Sequence, residues 1–168
     1  GCKSLDFDGV DDYVIAANPS SLAVTSVTAS TWFKTTTAGP ARIVSKKTRD
    51  HGYHQAYGFS IGGHGVDGTL NTRLQVGDSP LSFINLSSSV TVNDSNWHHA
   101  AATYDGSTGT GVLYLDGVAV DTETKGSGLV YYVNNEPFTV GVATYSGGEN
   151  SYFRGLIDDV QIYDSPLN

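Results

Sequence analysis

The chain has 168 residues, with nine Lys+Arg against 17 Asp+Glu and a formal net charge of −8. Hydrophobic residues make up 39% of it and charged residues 15%, with 20 Gly, 10 Tyr and no Met, a mix that excludes charge-driven disorder and a coiled coil. The acidic balance also lacks the basic footprint that nucleic-acid binding needs, and no apolar run approaches the length that spans a bilayer.

In chain order, Asp8-Gly9 predicts a turn and Asp12–Ala16 a strand after it. Val27–Thr35, rich in β-branched and aromatic residues, predicts a long strand. Ala41–Lys46, Gly58–Gly62 and Thr72–Gly77 predict short ones set off by Gly, Pro and Asp. Trp97–Tyr104 reads as a strand ending at the turn Asp105-Gly106-Ser107. Thr110–Leu115, Asp116-Gly117 and Val118–Thr122 form the strongest hairpin signal, because an Asp-Gly pair supplies the positive φ of a tight turn. Phe138–Ala143 and Leu156–Tyr163 complete a set of about a dozen strands, with turns at Gly106–Gly111 and Gly147–Glu149. No window keeps a helical period. The expectation is one all-β domain over residues 1–168, an antiparallel two-sheet sandwich or barrel.

The chain opens on Gly1, which suggests a piece of a larger protein. Its single cysteine, Cys2, cannot close an internal disulfide. Asn85 and Asn93 each begin an N-x-Ser sequon, which matters only where exported proteins are glycosylated.

Three blocks carry a family resemblance: LDFDGVDDYV over Leu5–Val14, WHHAAATYDGSTGTGVLYLDG over Trp97–Gly117, and GLIDDVQIYDSPL over Gly155–Leu167. In this order and spacing they resemble the laminin-G-like jelly rolls of the concanavalin A-like lectin/glucanase superfamily, over nearly the whole chain. The resemblance implies a concave and a convex sheet, with the first and last strands paired or adjacent. It also implies a secreted or cell-surface setting and a role in binding a polysaccharide or glycan. The module would be a monomer linked to catalytic or adhesion domains, with no nucleic-acid partner and no membrane insertion. An alternative is a protein–protein adhesion or spacer module.

For metal, Asp6, Asp8, Asp11 and Asp12 cluster around the bend at Gly9, and calcium takes six to eight oxygens on such a bent backbone. The resemblance adds Asp158 in the last strand as a partner of Asp8, so a structural calcium on Asp8, Asp11 and Asp158 is the expectation. The bland reading is that these carboxylates cap turns. Three histidines, His51, His54 and His64, lack the convergent ligands of a zinc site.

Sugar rings stack on aromatic faces while their hydroxyls need directional partners. Three stretches offer both: Arg49–His64 with Arg49, Tyr53, His54 and Tyr57; Tyr131, Tyr132 and Asn134; and Tyr145 with Arg154. Alternation also allows Tyr57 or Phe59 to face the core. Arg42, Lys46, Lys47 and Arg49 form a basic patch beside the first stretch, which would admit an anionic polysaccharide. Trp32 and Trp97 read as core or sheet-packing residues, and His98 and His99 as one inward and one outward.

Catalysis is not expected. The three glutamates Glu123, Glu136 and Glu149 do not form the E-x-D-x-x-E pattern of retaining glycosidases on this fold. Neither Gln75-Val76-Gly77 nor Gln161-Ile162-Tyr163 supplies the histidine of a jelly-roll lyase motif, and no G-x-S-x-G occurs.

Overall fold

Alternation of β-branched or aromatic residues with polar ones is realised as strands along the chain, and the only helical piece among the described residues is a 3-10 turn, Ser20–Leu22. A computed structural model describes residues 3–17, 20–22, 24–47, 55–62, 66–77, 82–125, 137–145 and 148–167. The strands are β1 (Leu5–Asp8), β2 (Val14–Ala16), β3 (Val27–Thr35), β4 (Ala41–Lys47), β5 (Gln55–Ile61), β6 (Thr69–Gln75) and β7 (Phe83–Thr91). They continue with β8 (His98–Asp105), β9 (Thr110–Leu115), β10 (Val118–Thr124), β11 (Phe138–Val140), β12 (Ala143–Tyr145), β13 (Gly148–Asn150) and β14 (Arg154–Tyr163).

Two six-stranded antiparallel sheets face each other as a jelly-roll sandwich. A terminal sheet runs β1-β14-β3-β8-β9-β10 and a second sheet β2-β11-β4-β5-β6-β7, with β12-β13 as a separate hairpin. The first and last strands pair directly, Leu5 opposite Ile157 and Asp8 opposite Arg154. The Asp-Gly hairpin forms where the sequence predicts it: Asp116 at φ 52° and Gly117 at φ 79° are both left-handed, the geometry that matches strand twist in a two-residue turn.

The core lies between the sheets. Phe33, Ala100, Ala102 and Leu113 come from the terminal sheet and Ile43, Phe59, Ile61, Leu70, Leu74, Ile84 and Leu86 from the second, all buried in one cluster. Phe7 and Phe153 meet edge to face at 6.3 Å. At Gly155, φ is 138° and a Cβ would stand 2.1 Å from the Lys34 carbonyl oxygen, so glycine is what lets β14 lie against β3 here.

One side of the sandwich is closed by side chains. Asp121 Oδ2 accepts the Ser87 amide at 2.9 Å, Glu123 Oε2 accepts the Asn85 amide at 2.9 Å, and Lys125 Nζ donates to the Phe83 carbonyl at 2.8 Å. Alternate side chains at the β10 edge thus replace a strand along the free edge of β7, satisfying groups an edge would leave open. These contacts also account for Asp121 and Glu123, the closely spaced carboxylates of β10, as structural.

Trp32 and Trp97 are outside the core, 42% and 41% exposed. Val27, Ala29, Thr31, Phe33 and Thr35 are buried along β3 while Trp32 is exposed, so strand alternation turns it outward. Its ring rests on His99 at 5.1 Å across the strand pair, and His98 packs inward against Phe33 at 5.8 Å.

Candidate functional site

The side of the second sheet turned away from the core is polar, and on β4–β6 much of it is buried. On β4, a bulge between Arg42 and Val44 puts both Ile43 and Val44 in the core cluster and leaves Arg42 and Ser45 on the opposite face. On β6, Leu70, Thr72 and Leu74 turn inward, so Asn71, Arg73 and Gln75 form a polar stripe on the other side. Arg42 lies opposite Ser60, Ser60 opposite Asn71, and Asn71 opposite Ser87, while Arg73 lies opposite Asn85 and Gln75 opposite Phe83. Gly58 stands opposite Ser45. Burial is graded: Asn85 is exposed and Arg73 and Ser87 half-buried, whereas Ser60, Asn71 and Gln75 are buried. Burial thus increases from β7 toward β4.

An antiparallel sheet commonly leaves its outer face to water. Here buried polar groups are held without partners instead. Among the described residues, the buried side-chain atoms with no hydrogen bond are Ser45 Oγ, Arg73 Nε and both amide atoms of Gln75. All four lie on this face. Unmade buried hydrogen bonds cost about 1–3 kcal/mol each, so these four atoms are held on one face at a cost to the fold. The Arg73 guanidinium carbon lies 3.6 Å from the centroid of the Phe83 ring. Burial first, and the neighbouring Arg42 charge second, push its pKa down. Asn71, by contrast, is satisfied: its amide donates to the Thr69 carbonyl at 2.9 Å and its oxygen accepts from Ser87.

Of the sequence-predicted site residues, Tyr57 and Arg154 are described with their side chains, and neither lies on this face. Arg49, Tyr53, His54, Tyr131, Tyr132 and Asn134 lie outside the described residues, as does Cys2, and of Tyr145 only its backbone place in β12 is described. Tyr57 is a correction: it is 1% exposed in the core and its hydroxyl donates to the Leu22 carbonyl at 3.3 Å, so it floors no open groove. Phe59, two residues on, faces the core with it. The basic patch is also corrected, because Lys46 is fully buried, in register between Tyr57 and Phe138, while Arg42 lies on the polar face. Arg154 is exposed in the terminal sheet opposite Asp8, beside a cleft of about 480 Å³ with Asp6, Asp12 and Lys34.

The acidic residues separate into two places. Asp8, Asp11 and Asp12 bring one carboxylate oxygen each within 4.8 Å of one another, all exposed. Asp8 Oδ1 accepts the Val10 amide at 2.7 Å and the Asp11 amide at 3.3 Å, and Asp12 Oδ2 accepts the Asp8 amide at 3.0 Å. The Val10 amide is the main reason the Asp8 pKa is lowered. Asp158 does not join them: it sits four residues along β14 from Arg154, the partner of Asp8, and lies opposite Trp32. It lines a different, apolar cleft of about 340 Å³ with Leu5, Val14 and Phe138. The carboxylates brought together are therefore Asp8, Asp11 and Asp12 without Asp158, and those of Asp8 and Asp12 already accept amides of the turn.

Sequence reading missed Ser45, Arg73 and the binding potential of Gln75, because each looks like an ordinary outward strand residue. The signal was present in TLNTRLQ: Asn71, Arg73 and Gln75 at spacing two make a stripe whose planar amides and guanidinium are richer in donors than a solvated strand needs.

No curated protein matches the chain. Among solved structures, a carbohydrate-binding module (CBM40) of the Ruminococcus gnavus IT-sialidase, bound to α2,3-sialyllactose, superposes with a TM-score of 0.76 at 15% identity, over 99% of this chain and 92% of that one. A native heptameric SAP-like pentraxin from Limulus polyphemus gives 0.66 at 22% identity, over 97% and 76%. Domains LG4-5 of the mouse laminin α1 chain give 0.64 at 19%, over 95% and 40%. At these identities the likeness is one of fold. A family model described as the concanavalin A-like lectin/glucanases superfamily, in its laminin-G-like branch, matches residues 8–168. The chain belongs to that superfamily.

Proposed function

We propose that this domain is a non-catalytic carbohydrate-binding module, and that the polar face of β4–β7 is where it holds a glycan. The observation that carries this is the gathering of unpartnered buried polar atoms on one sheet face. A sugar supplies what they lack, since each hydroxyl both donates and accepts: Gln75 Oε1 and Ser45 Oγ take hydroxyl protons, and Gln75 Nε2 and Arg73 Nε donate to hydroxyl or ring oxygens. The half-buried Arg73 and exposed Asn85 form the approach. The superfamily and the fold likeness to a sialidase-associated binding module support the same reading. Among the described residues this face presents amide, hydroxyl and guanidinium groups, which suit binding a sugar. A secreted or cell-surface setting follows from the proposal, and no helix among the described residues is long and apolar enough to cross a membrane.

Affinity electrophoresis or pull-down of the 168-residue protein against a wide panel of polysaccharides tests the proposal. Retention on a glycan class, lost in Gln75→Leu, is expected. Retention unchanged by Gln75→Leu would move the site elsewhere, and no retention on any glycan would overturn the function.

One observation favours a second reading, a protein-adhesion module. The apolar cleft between β1–β14 and β2–β11 borders the exposed Leu5, Val14 and Ile15 at the open edge of the sandwich. Specific capture of a protein ligand that Val14→Asp prevents, with no glycan bound, would support it.

A further inference from the structure

We propose that the apolar cleft between β1–β14 and β2–β11 takes an extended, basic segment of a partner protein, which pairs with the free edge of β2 and sends an apolar side chain between the sheets. The inference rests on the adhesion reading above, to which it adds the chemistry of the partner, and it leaves the polar face of β4–β7 free for a glycan. The two sides of the sandwich are finished differently. On one, Asp121, Glu123 and Lys125 occupy backbone groups of β7. On the other, Val14–Ala16 bonds to β11 and makes no further backbone hydrogen bond among the described residues. Its three residues are apolar, without the Lys, Pro or inward charge that blunts an edge strand. Of the 12 large hydrophobic side chains exposed among the described residues, five lie within residues 5–15, the stretch that makes both β1 and β2. Exposed apolar surface concentrated in this way marks an interaction site.

The cleft selects the occupant by shape and charge. Val14 and Ala16 line it with Val140 and Phe138, their partners in register, while Leu5 and Ile157 line it from the terminal sheet. A strand added beside β2 therefore aims alternate side chains into this space. On the far wall β14 carries a bulge between Asp158 and Gln161, where Asp159 is left-handed at φ 49°. The bulge brings Asp158, Asp159 and Val160 to the cleft. Asp158 Oδ1 accepts the Asp159 amide at 2.8 Å and Asp159 Oδ1 accepts the Gln161 side-chain amide at 2.6 Å. Both donors are neutral, and neither carboxylate has an ion pair among the described residues. Lys3, exposed just before β1, pairs with neither. The apolar wall thus ends in two negative charges, which a Lys or Arg on the incoming strand complements. A second copy of the chain fits this edge poorly, because it would bring together two chains of net charge −8, each with Asp11 and Asp12 beside its β2.

The test is a selection of short random peptides displayed on phage against the 168-residue protein, followed by titration of the selected peptides by fluorescence anisotropy. The expected peptides alternate apolar and polar residues, carry Lys or Arg, and shift the amide signals of Val14, Ile15 and Ala16 on binding. Val14→Asp abolishes their binding, and Asp158→Asn combined with Asp159→Asn weakens it about 10-fold. Asparagine tolerates the left-handed backbone at position 159, so the double variant decides the matter even where Val14→Asp fails to fold. The affinity also falls with added salt, and Gln75→Leu leaves it unchanged. Selected peptides that lack basic residues and ignore the Asp158 and Asp159 changes overturn the inference while the adhesion reading stands. No enrichment of any peptide, or peptides that bind Val14→Asp as well as the wild type, also overturns it. A dimer in sedimentation that Val14→Asp dissociates assigns the edge to a second copy and overturns it too. The adhesion reading is judged separately, and fails if Val14→Asp captures every folded protein ligand that the wild type does.

Discussion

Replacing Gln75 by Leu is expected to make the protein more stable and less functional at once. The Gln75 side chain is fully buried, and neither its nitrogen nor its oxygen has a hydrogen-bond partner. Leucine has nearly the same length and no polar atom. Folding the wild type strips two polar atoms of water without return, at about 1–3 kcal/mol; Leu removes that penalty and adds apolar contact beside Phe83, its cross-strand neighbour. A net gain of about 1–3 kcal/mol corresponds to a rise of about 2–9 °C in Tm for a chain of this size. Urea unfolding and a thermal scan read the gain, and glycan retention reads the loss. Stability sacrificed at a binding site is a recognised trade-off, and here one atom pair would account for both sides. A Gln75→Leu protein less stable than wild type would refute the reasoning, because it would mean that the amide is satisfied in the folded state.

Other consequences follow from the scaffold. His98 Nδ1 meets Asp116 Oδ2 at 2.8 Å and its Nε2 meets Asp94 Oδ1 at 3.1 Å; burial pulls its pKa down, but these two carboxylates outweigh it and the net shift is upward from 6.5. Its contribution is therefore complete below pH 6.5 and is lost as pH rises through the higher folded value, so denaturant titrations should show stability falling over that window and no such slope in His98→Asn. Asp94, whose bonds to Asn96 come first and His98 after, is lowered to about 2 and contributes in the opposite sense, with its share lost as pH falls from 3.8 through that value; Asp94→Asn should flatten the acid limb. Gly155→Ala forces a Cβ to within 2.1 Å of the Lys34 carbonyl oxygen at a φ of 138°, and should lower stability by about 3 kcal/mol or more, measured as a fall in Tm. Calcium at Asp8, Asp11 and Asp12 predicts a Tm that rises with added calcium and falls in EDTA, an effect absent from Asp8→Asn; a Tm indifferent to both leaves the three carboxylates as turn caps.

Much of the framework is legible in the sequence because its determinants are local. Val27–Thr35 and Thr110–Leu115 are strands with the bounds that alternation assigns, and Asp116-Gly117 makes the turn its φ preferences dictate. Strand β7 escapes a local reading, since its serine run Ser87–Ser89 has no strong strand preference. It is held instead by β6 and by the carboxylates of β10, contacts 34 to 38 residues away in the chain. The turn read at Gly147–Glu149 overlaps a short strand, Gly148–Asn150, because β12 offers it a partner.

The site is less legible for the same reason. Aromatic loops advertise themselves in a sequence, whereas Arg73 and Gln75 become notable only once the fold has buried them away from partners. Trp32 shows the converse: a residue type common in cores is outside here because β3 already commits its other parity to the interior. Asp158 was carried to Asp8 by resemblance, yet the β1–β14 register sets them apart.

The central claim is that a glycan binds the outward face of β4–β7. Backbone and side-chain chemical shifts of the labelled 17.7 kDa chain, followed through a titration with the best-retained oligosaccharide, test it most directly. The account predicts saturable shifts concentrated at Ser45, Gly58, Ser60, Arg73 and Gln75, with the side-chain signals of Arg73 Nε and Gln75 Nε2 moving most and the indole signals of Trp32 and Trp97 unmoved. Shifts centred on Trp32, His99 and Trp97, with β4–β7 silent, would contradict it.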